Sequence, residues 1–133
     1  MKKLIILSFV IFGLVSCNKD DNIDSTEYYV KYEVSCQLKS SLIKYSAKKS
    51  TIVINGTGSQ RTEVKDKGNY SWSDICGPFK KGDKVSISVV TTTPSATYYD
   101  IDAKMAVCKD SSPFATKRTS SAKNSVFLSY KIE

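Results

Sequence analysis

Apolar residues in this chain recur at every second position, and that period constrains the fold more than any other feature. Val30, Tyr32, Val34, Cys36 and Leu38 alternate with Lys31, Glu33, Ser35, Gln37 and Lys39. In an extended strand successive side chains point to opposite faces, so such a row buries one face and leaves the other in water. Val85, Ile87 and Val89 form a second row, Tyr99, Ile101, Ala103, Met105 and Val107 a third, and Val126, Leu128, Tyr130 and Ile132 a fourth. Thr51-Ile52-Val53-Ile54 stops at Asn55-Gly56, a hairpin-turn dipeptide. Turn residues separate the rows at Gly56-Thr57-Gly58-Ser59, Lys67-Gly68-Asn69, Gly77-Pro78, Lys81-Gly82-Asp83, Thr93-Pro94-Ser95 and Ser111-Ser112-Pro113. No window repeats apolar residues at helical spacing over a useful length. The expected fold class is all-β, a single antiparallel β-sandwich.

The strand lengths and turn frequency fit an immunoglobulin-like arrangement of that sandwich. Three segments divide the chain: residues 1–16, residues 17–27, and one domain over residues 28–133. The whole chain holds 20 Lys and Arg against 13 Asp and Glu, a net +7. Within residues 28–133 there are 17 basic and 9 acidic residues, a net +8, so the charge belongs to the domain. Such a balance supports solubility, or attraction to an anionic surface. The cations are scattered, and no stretch reads as a nucleic-acid arm. Lys80, Lys81 and Lys84 are the candidate anion contacts.

The N-terminus says how the chain is held. Lys2 and Lys3 precede an apolar run from Leu4 to Val15, then small Ser16 and Cys17. A membrane-spanning helix needs about 20 apolar residues, more than this run supplies. It reads as a secretory signal. Leu14-Val15-Ser16-Cys17 resembles the lipobox of bacterial lipoproteins. The resemblance implies cleavage before Cys17, a lipid thioether on Cys17, and a lipid-anchored mature chain. Residues 18–27 are polar, acidic and nearly free of apolar side chains, as a disordered tether is. Lys19-Asp20-Asp21 resembles the signal that sends Bacteroidota lipoproteins to the outer face of the outer membrane, the alternative being its periplasmic face. Asp24-Ser25-Thr26 resembles the O-glycosylation site of that phylum, with Ser25 as acceptor.

A second resemblance lies in the domain. Tyr32-Glu33-Val34, Tyr70-Ser71-Trp72, Gly77-Pro78-Phe79-Lys80-Lys81-Gly82-Asp83, Ser112-Pro113-Phe114 and Leu128-Ser129-Tyr130 follow in an order similar to that of small Bacteroidota lipoproteins. These are similar in pattern to the extracytoplasmic β-sandwich of MmpS-type transport accessory proteins. The chain departs from MmpS-type proteins in having a lipid anchor where they have a membrane helix. No functional residue carries over.

With Cys17 lipidated, Cys36, Cys76 and Cys108 remain, an odd number for an oxidising compartment. Cys36 shares the inward row with Val34 and reads as a small buried hydrophobe. Cys76 and Cys108, each placed where a strand gives way to a turn, are the favoured disulfide. The chain has no histidine, which removes the commonest general base and most zinc sites. It has no Gly-x-Ser-x-Gly, no phosphate loop and no Cys-x-x-Cys. Asp100 and Asp102 share a strand face but sit beside Lys104, as a solvated face does. Asp20, Asp21 and Asp24 lack the ligand spacing of a calcium loop. No catalytic residue, metal or cofactor is expected. Tyr29, Tyr98 and Phe127 fall on the outward parity of their strands, while Trp72 is read as a core residue.

These features point to a non-catalytic surface-binding or accessory module recognising a glycan or a protein. The alternatives are a structural or assembly subunit of an outer-membrane complex and, third, an enzyme or enzyme inhibitor. The expected partners are the membrane through the lipid anchor, and an anionic glycan, lipopolysaccharide or an outer-membrane protein. Nucleic acid is not among them.

Overall fold

The computed structural model describes residues 25–40 and 47–133. The signal segment, Cys17, Lys19, Asp20 and Asp21 lie outside the described residues. The strands are β1 (Tyr28–Lys39), β2 (Thr51–Gly56), β3 (Thr62–Lys65), β4 (Asn69–Phe79), β5 (Lys84–Thr92), β6 (Tyr98–Lys109), β7 (Ala115–Lys123) and β8 (Ser125–Lys131). They form two four-stranded sheets, a first in the order β4-β1-β6-β7 and a second in the order β3-β2-β5-β8. Every neighbouring pair is antiparallel.

The period-two rows are the inner faces. In the first sheet Val30 lies opposite Val107, Tyr32 opposite Met105, Val34 opposite Ala103, Cys36 opposite Ile101 and Leu38 opposite Tyr99. In the second, Ile54 faces Val89, Ile87 faces Leu128, and Val85 faces Tyr130. These residues are all buried and join in one core between the sheets. Fully burying one such aliphatic side chain is worth roughly 1.5–3 kcal/mol, which is why the rows dictate which face turns inward.

Three places depart from the sequence reading. Asn55 and Gly56 do not form the hairpin turn; they continue β2 against Ser88 and Ile87 of β5. The chain turns after them, where the Ser59 N–H donates to the Gly56 carbonyl at 3.0 Å. Gly56 packs closely, since a Cβ there would lie 3.1 Å from the Tyr32 ring and the ring would have to shift to admit it. Residues 115–123 have no apolar alternation, yet they form β7 by pairing with β6. Gly77-Pro78, expected as a turn, lies instead inside β4, where the register against β1 shifts between Tyr28 and Val30. Gly77 sits there with φ +145°, and a Cβ on it would come within 2.8 Å of the Tyr28 carbonyl oxygen.

Candidate functional site

The outer face of the first sheet holds a trough. Registers across β4, β1, β6 and β7 align two rows of side chains. One row runs Ser73, Glu33, Lys104, Thr119; the next runs Ser71, Ser35, Asp102, Ser121. Most of these side chains are short. Longer ones flank them: Ile75 and Lys31 on one side, Gln37, Asp100 and Lys123 on the other. Short side chains between long ones leave a depression of about 680 Å³. A second depression of about 410 Å³ adjoins it over Gln37, Asp100, Asp102, Ser121 and Lys123. The trough crosses the strands, and β4 and β7 are the edges of the sheet, so it is open at both ends. Three inter-strand spacings make it about 14 Å long between the outer strands.

Its chemistry is hydroxyl-rich with balanced charge. Ser35, Ser71, Ser73, Thr119 and Ser121 each offer one donor and two acceptor lone pairs. Glu33 takes Lys31 at 3.0 Å and Lys104 at 3.4 Å. The hydrogen bond from Lys31, then that from Lys104, holds the Glu33 carboxyl below its ordinary range. Asp102 accepts a hydrogen bond from the Ser121 hydroxyl. Trp72 belongs to the other face: it lies opposite Val34 and packs half-buried against the core, as expected from the sequence.

The sequence candidates are dispersed around this trough rather than gathered in it. Ser25 is exposed at the start of the described chain. Lys80 and Lys81 occupy the β4–β5 turn, where the Lys80 N–H donates to Asp83 Oδ2 at 2.8 Å. Lys84 opens β5 opposite Lys131, in the second sheet. All three lysines are exposed, and none lines the trough. Tyr29 and Tyr98 stand near opposite ends of the first sheet, and Phe127 on the second, so the three make no aromatic row.

The Cys76–Cys108 disulfide is not formed. Cys36, Cys76 and Cys108 are free, buried thiols. Cys76 faces inward beside Val30, whereas Cys108 pairs with Tyr29 and points to the opposite face. β1 lies between them, so two strand spacings put their backbones about 9.6 Å apart. A disulfide needs Cα atoms within about 7 Å. Cys108 is one residue from the end of β6, as expected, whereas Cys76 lies inside β4. Cys36 is in the core as expected, and burial pushes its thiol up to about 11. Burial, with Asp74 beside it, also raises the Cys76 thiol.

Among the described residues, no group of three or more His, Cys, Asp or Glu is placed to hold a metal ion. No described helix is long and apolar enough to cross a membrane. Sequence reading missed the trough because its residues come from four separated strands. The available signal was the short polar pairs at i and i+2: Ser71 and Ser73, Glu33 and Ser35, Thr119 and Ser121. Comparison with protein-family models, curated proteins and solved structures finds no match to this chain.

Proposed function

We propose that the protein is a lipid-anchored lipoprotein of the outer-membrane surface whose domain is a non-catalytic binding module for a glycan chain. The observation that carries this reading is the trough, shallow, hydroxyl-lined and open at both ends. A trough without end walls accepts the middle of a polymer, and its hydroxyls match the alternating donors and acceptors of a sugar chain. The paired Glu33 and Lys104 make it nearly neutral, so a neutral glycan fits better there than a polyanion. Turnover is disfavoured by the same geometry, because a general acid needs a raised pKa and Glu33 is held low. The anchor rests on Leu14-Val15-Ser16-Cys17, the outward display on Lys19-Asp20-Asp21, and the acceptor role of Ser25 on Asp24-Ser25-Thr26.

The sandwich itself reads as immunoglobulin-like. With β1 taken as strand B, β2 and β3 follow as C and C′, and β4 stands beside β1 as strand E stands beside B. β5 and β8 then continue the second sheet as F and G. β6 and β7 depart from that scheme: they intervene between F and G and take the place of strand A.

The test is a glycan array probed with residues 18–133, which carry all eight strands. Binding to a glycan polymer is expected, and Ser35→Trp should lower it at least about tenfold by filling the trough. Ser88→Trp, on the opposite sheet, should leave it unchanged, and both variants should stay within about 0.5 kcal/mol of the parent stability. Absence of binding to every glycan would reject the reading and put the assembly-subunit alternative first.

A further inference from the structure

The outer face of the second sheet has a different character from the trough. Phe127 is 67 % exposed and Val90 is 49 % exposed. Val90 lies opposite Val53 of β2 on one side and Ser125 of β8 on the other, and Phe127 lies opposite Ser88. Val53, Val90 and Phe127 therefore form a diagonal apolar stripe across β2, β5 and β8. Further along the same face, Lys84 and Lys131 stand directly opposite one another. Like charges directly opposite in a sheet repel and destabilise it. Neither lysine has an ion pair among the described residues. Glu63, an acid on this face, is engaged by Arg61 at 3.1 Å and by Lys65 at 3.6 Å, and exposed Glu133 follows Lys131 by two residues. Lys80 and Lys81 extend the cationic end into the adjoining turn.

We propose that this face rests on an anionic lipid surface, with Phe127 in the headgroup layer and Lys84 and Lys131 on lipid phosphates. An aromatic and exposed lysines on one face, here four residues apart along β8, are the pattern of a surface lying in a membrane interface. The lipid phosphates relieve the Lys84–Lys131 repulsion that the isolated domain carries. A second copy of this chain is a poor occupant. It would set lysines against lysines, and three apolar side chains fall far short of the ~800 Å² per partner of a stable interface. A soluble polyanion would use the lysines but leave Phe127 in water.

The docked orientation has a consequence for the trough. The two outer faces of a sandwich point in opposite directions, so resting the second sheet on lipid turns the trough away from the membrane. The eleven residues 17–27 span at most about 40 Å, enough to reach past a sandwich whose sheets are ~10 Å apart. The docking face is independent of the trough reading; it rests on the anchored reading only for which membrane it meets.

Co-sedimentation of residues 18–133 with phosphatidylglycerol or phosphatidylcholine vesicles tests this without the anchor. Binding is expected to the anionic vesicles alone, and to disappear at high ionic strength. Lys84→Gln with Lys131→Gln should weaken it about 30-fold, while the melting temperature stays level or rises. Phe127→Ala should weaken it about fivefold or more. Lys39→Gln with Lys67→Gln removes the same charge at the other end of the sandwich and should leave affinity within about threefold. Equal binding to neutral vesicles would overturn the proposal. So would an equal loss from the Lys39 and Lys67 pair. Undiminished binding by Phe127→Ala would overturn the lipid assignment and leave a soluble polyanion as the ligand.

Discussion

At Tyr32 the hydroxyl donates to the Thr57 carbonyl at 3.1 Å, while the ring lies against Gly56 in the core. Burial pushes this phenol up to about 12, and the thiol of Cys36, two positions along the same row, to about 11. Both folded values are raised, because the core disfavours the charged form. The stability tied to them is fully present below the ordinary values of 9 for the thiol and 10 for the phenol. It is lost as pH rises through about 11 and about 12, because the unfolded chain ionises first. Denaturant melts across that range should therefore show a progressive fall in stability. Tyr32→Phe should cost about 1 kcal/mol at neutral pH through the lost hydrogen bond. The same variant should flatten the upper part of the alkaline decline. An unchanged alkaline profile would show that Tyr32 does not carry it.

Among the elements, the β7–β8 connection depends most on a single residue. Asn124 sits between strands of opposite sheets with φ +64°. Its Oδ1 accepts the Tyr99 N–H at 3.0 Å, its carbonyl accepts the Thr91 N–H at 2.9 Å, and its own N–H donates to Tyr99. One residue thus ties β6 of the first sheet to β5 of the second. Asn124→Ala leaves a buried N–H without its acceptor, at about 1–3 kcal/mol. It also places a side chain in the left-handed region, at about 1 kcal/mol more. Asn124→Gly should suffer only the first loss, and Asn124→Asp should retain most of the stability because it keeps the acceptor. Each kcal/mol should move the melting temperature by roughly 4–8 °C in a domain of this size. Equal melting temperatures for Ala and Asp would show that Oδ1 is not the tie.

β7 itself shows how a polar segment becomes a strand. Its register against β6 shifts between Met105 and Ala106, leaving Lys117 as the extra residue of a bulge. Arg118 then pairs with Met105 and lies 5.3 Å from the Tyr130 ring centre, with the Lys117 ammonium at 5.8 Å. Such contacts add about 0.5–1 kcal/mol each where exposed. They set two cations at the open side between the sheets, which also discourages strand addition at that edge.

At the scale of the whole molecule, the proposed arrangement is a sandwich with lipid on one side and a trough on the other, held by a short tether. The anchor is tested in cells. Cys17→Ala should abolish incorporation of an alkyne fatty acid, and retention of label on that variant would reject lipidation at Cys17. Treating intact cells with proteinase K should remove the domain if Lys19-Asp20-Asp21 directs it outward. Protection that ends only on lysis would place it on the periplasmic face.

The period-two rows were enough to determine the all-β class and the inward faces of β1, β5, β6 and β8, because burying an aliphatic row leaves one choice of face. They also placed Cys36 in the core and Phe127 on the surface. Other features depended on which strands became neighbours. β7 has no apolar period and exists because β6 offers it a ladder. Cys76 and Cys108 looked bridgeable along the chain, but β1 inserts between them and parity sends them to opposite faces. The trough needs Ser71, Ser35, Asp102 and Ser121 in one row, and the Lys84–Lys131 repulsion needs β8 beside β5. Alternation along a strand is local and is written in the chain, whereas alignment across strands is set by pairing and exists only in the folded sheets.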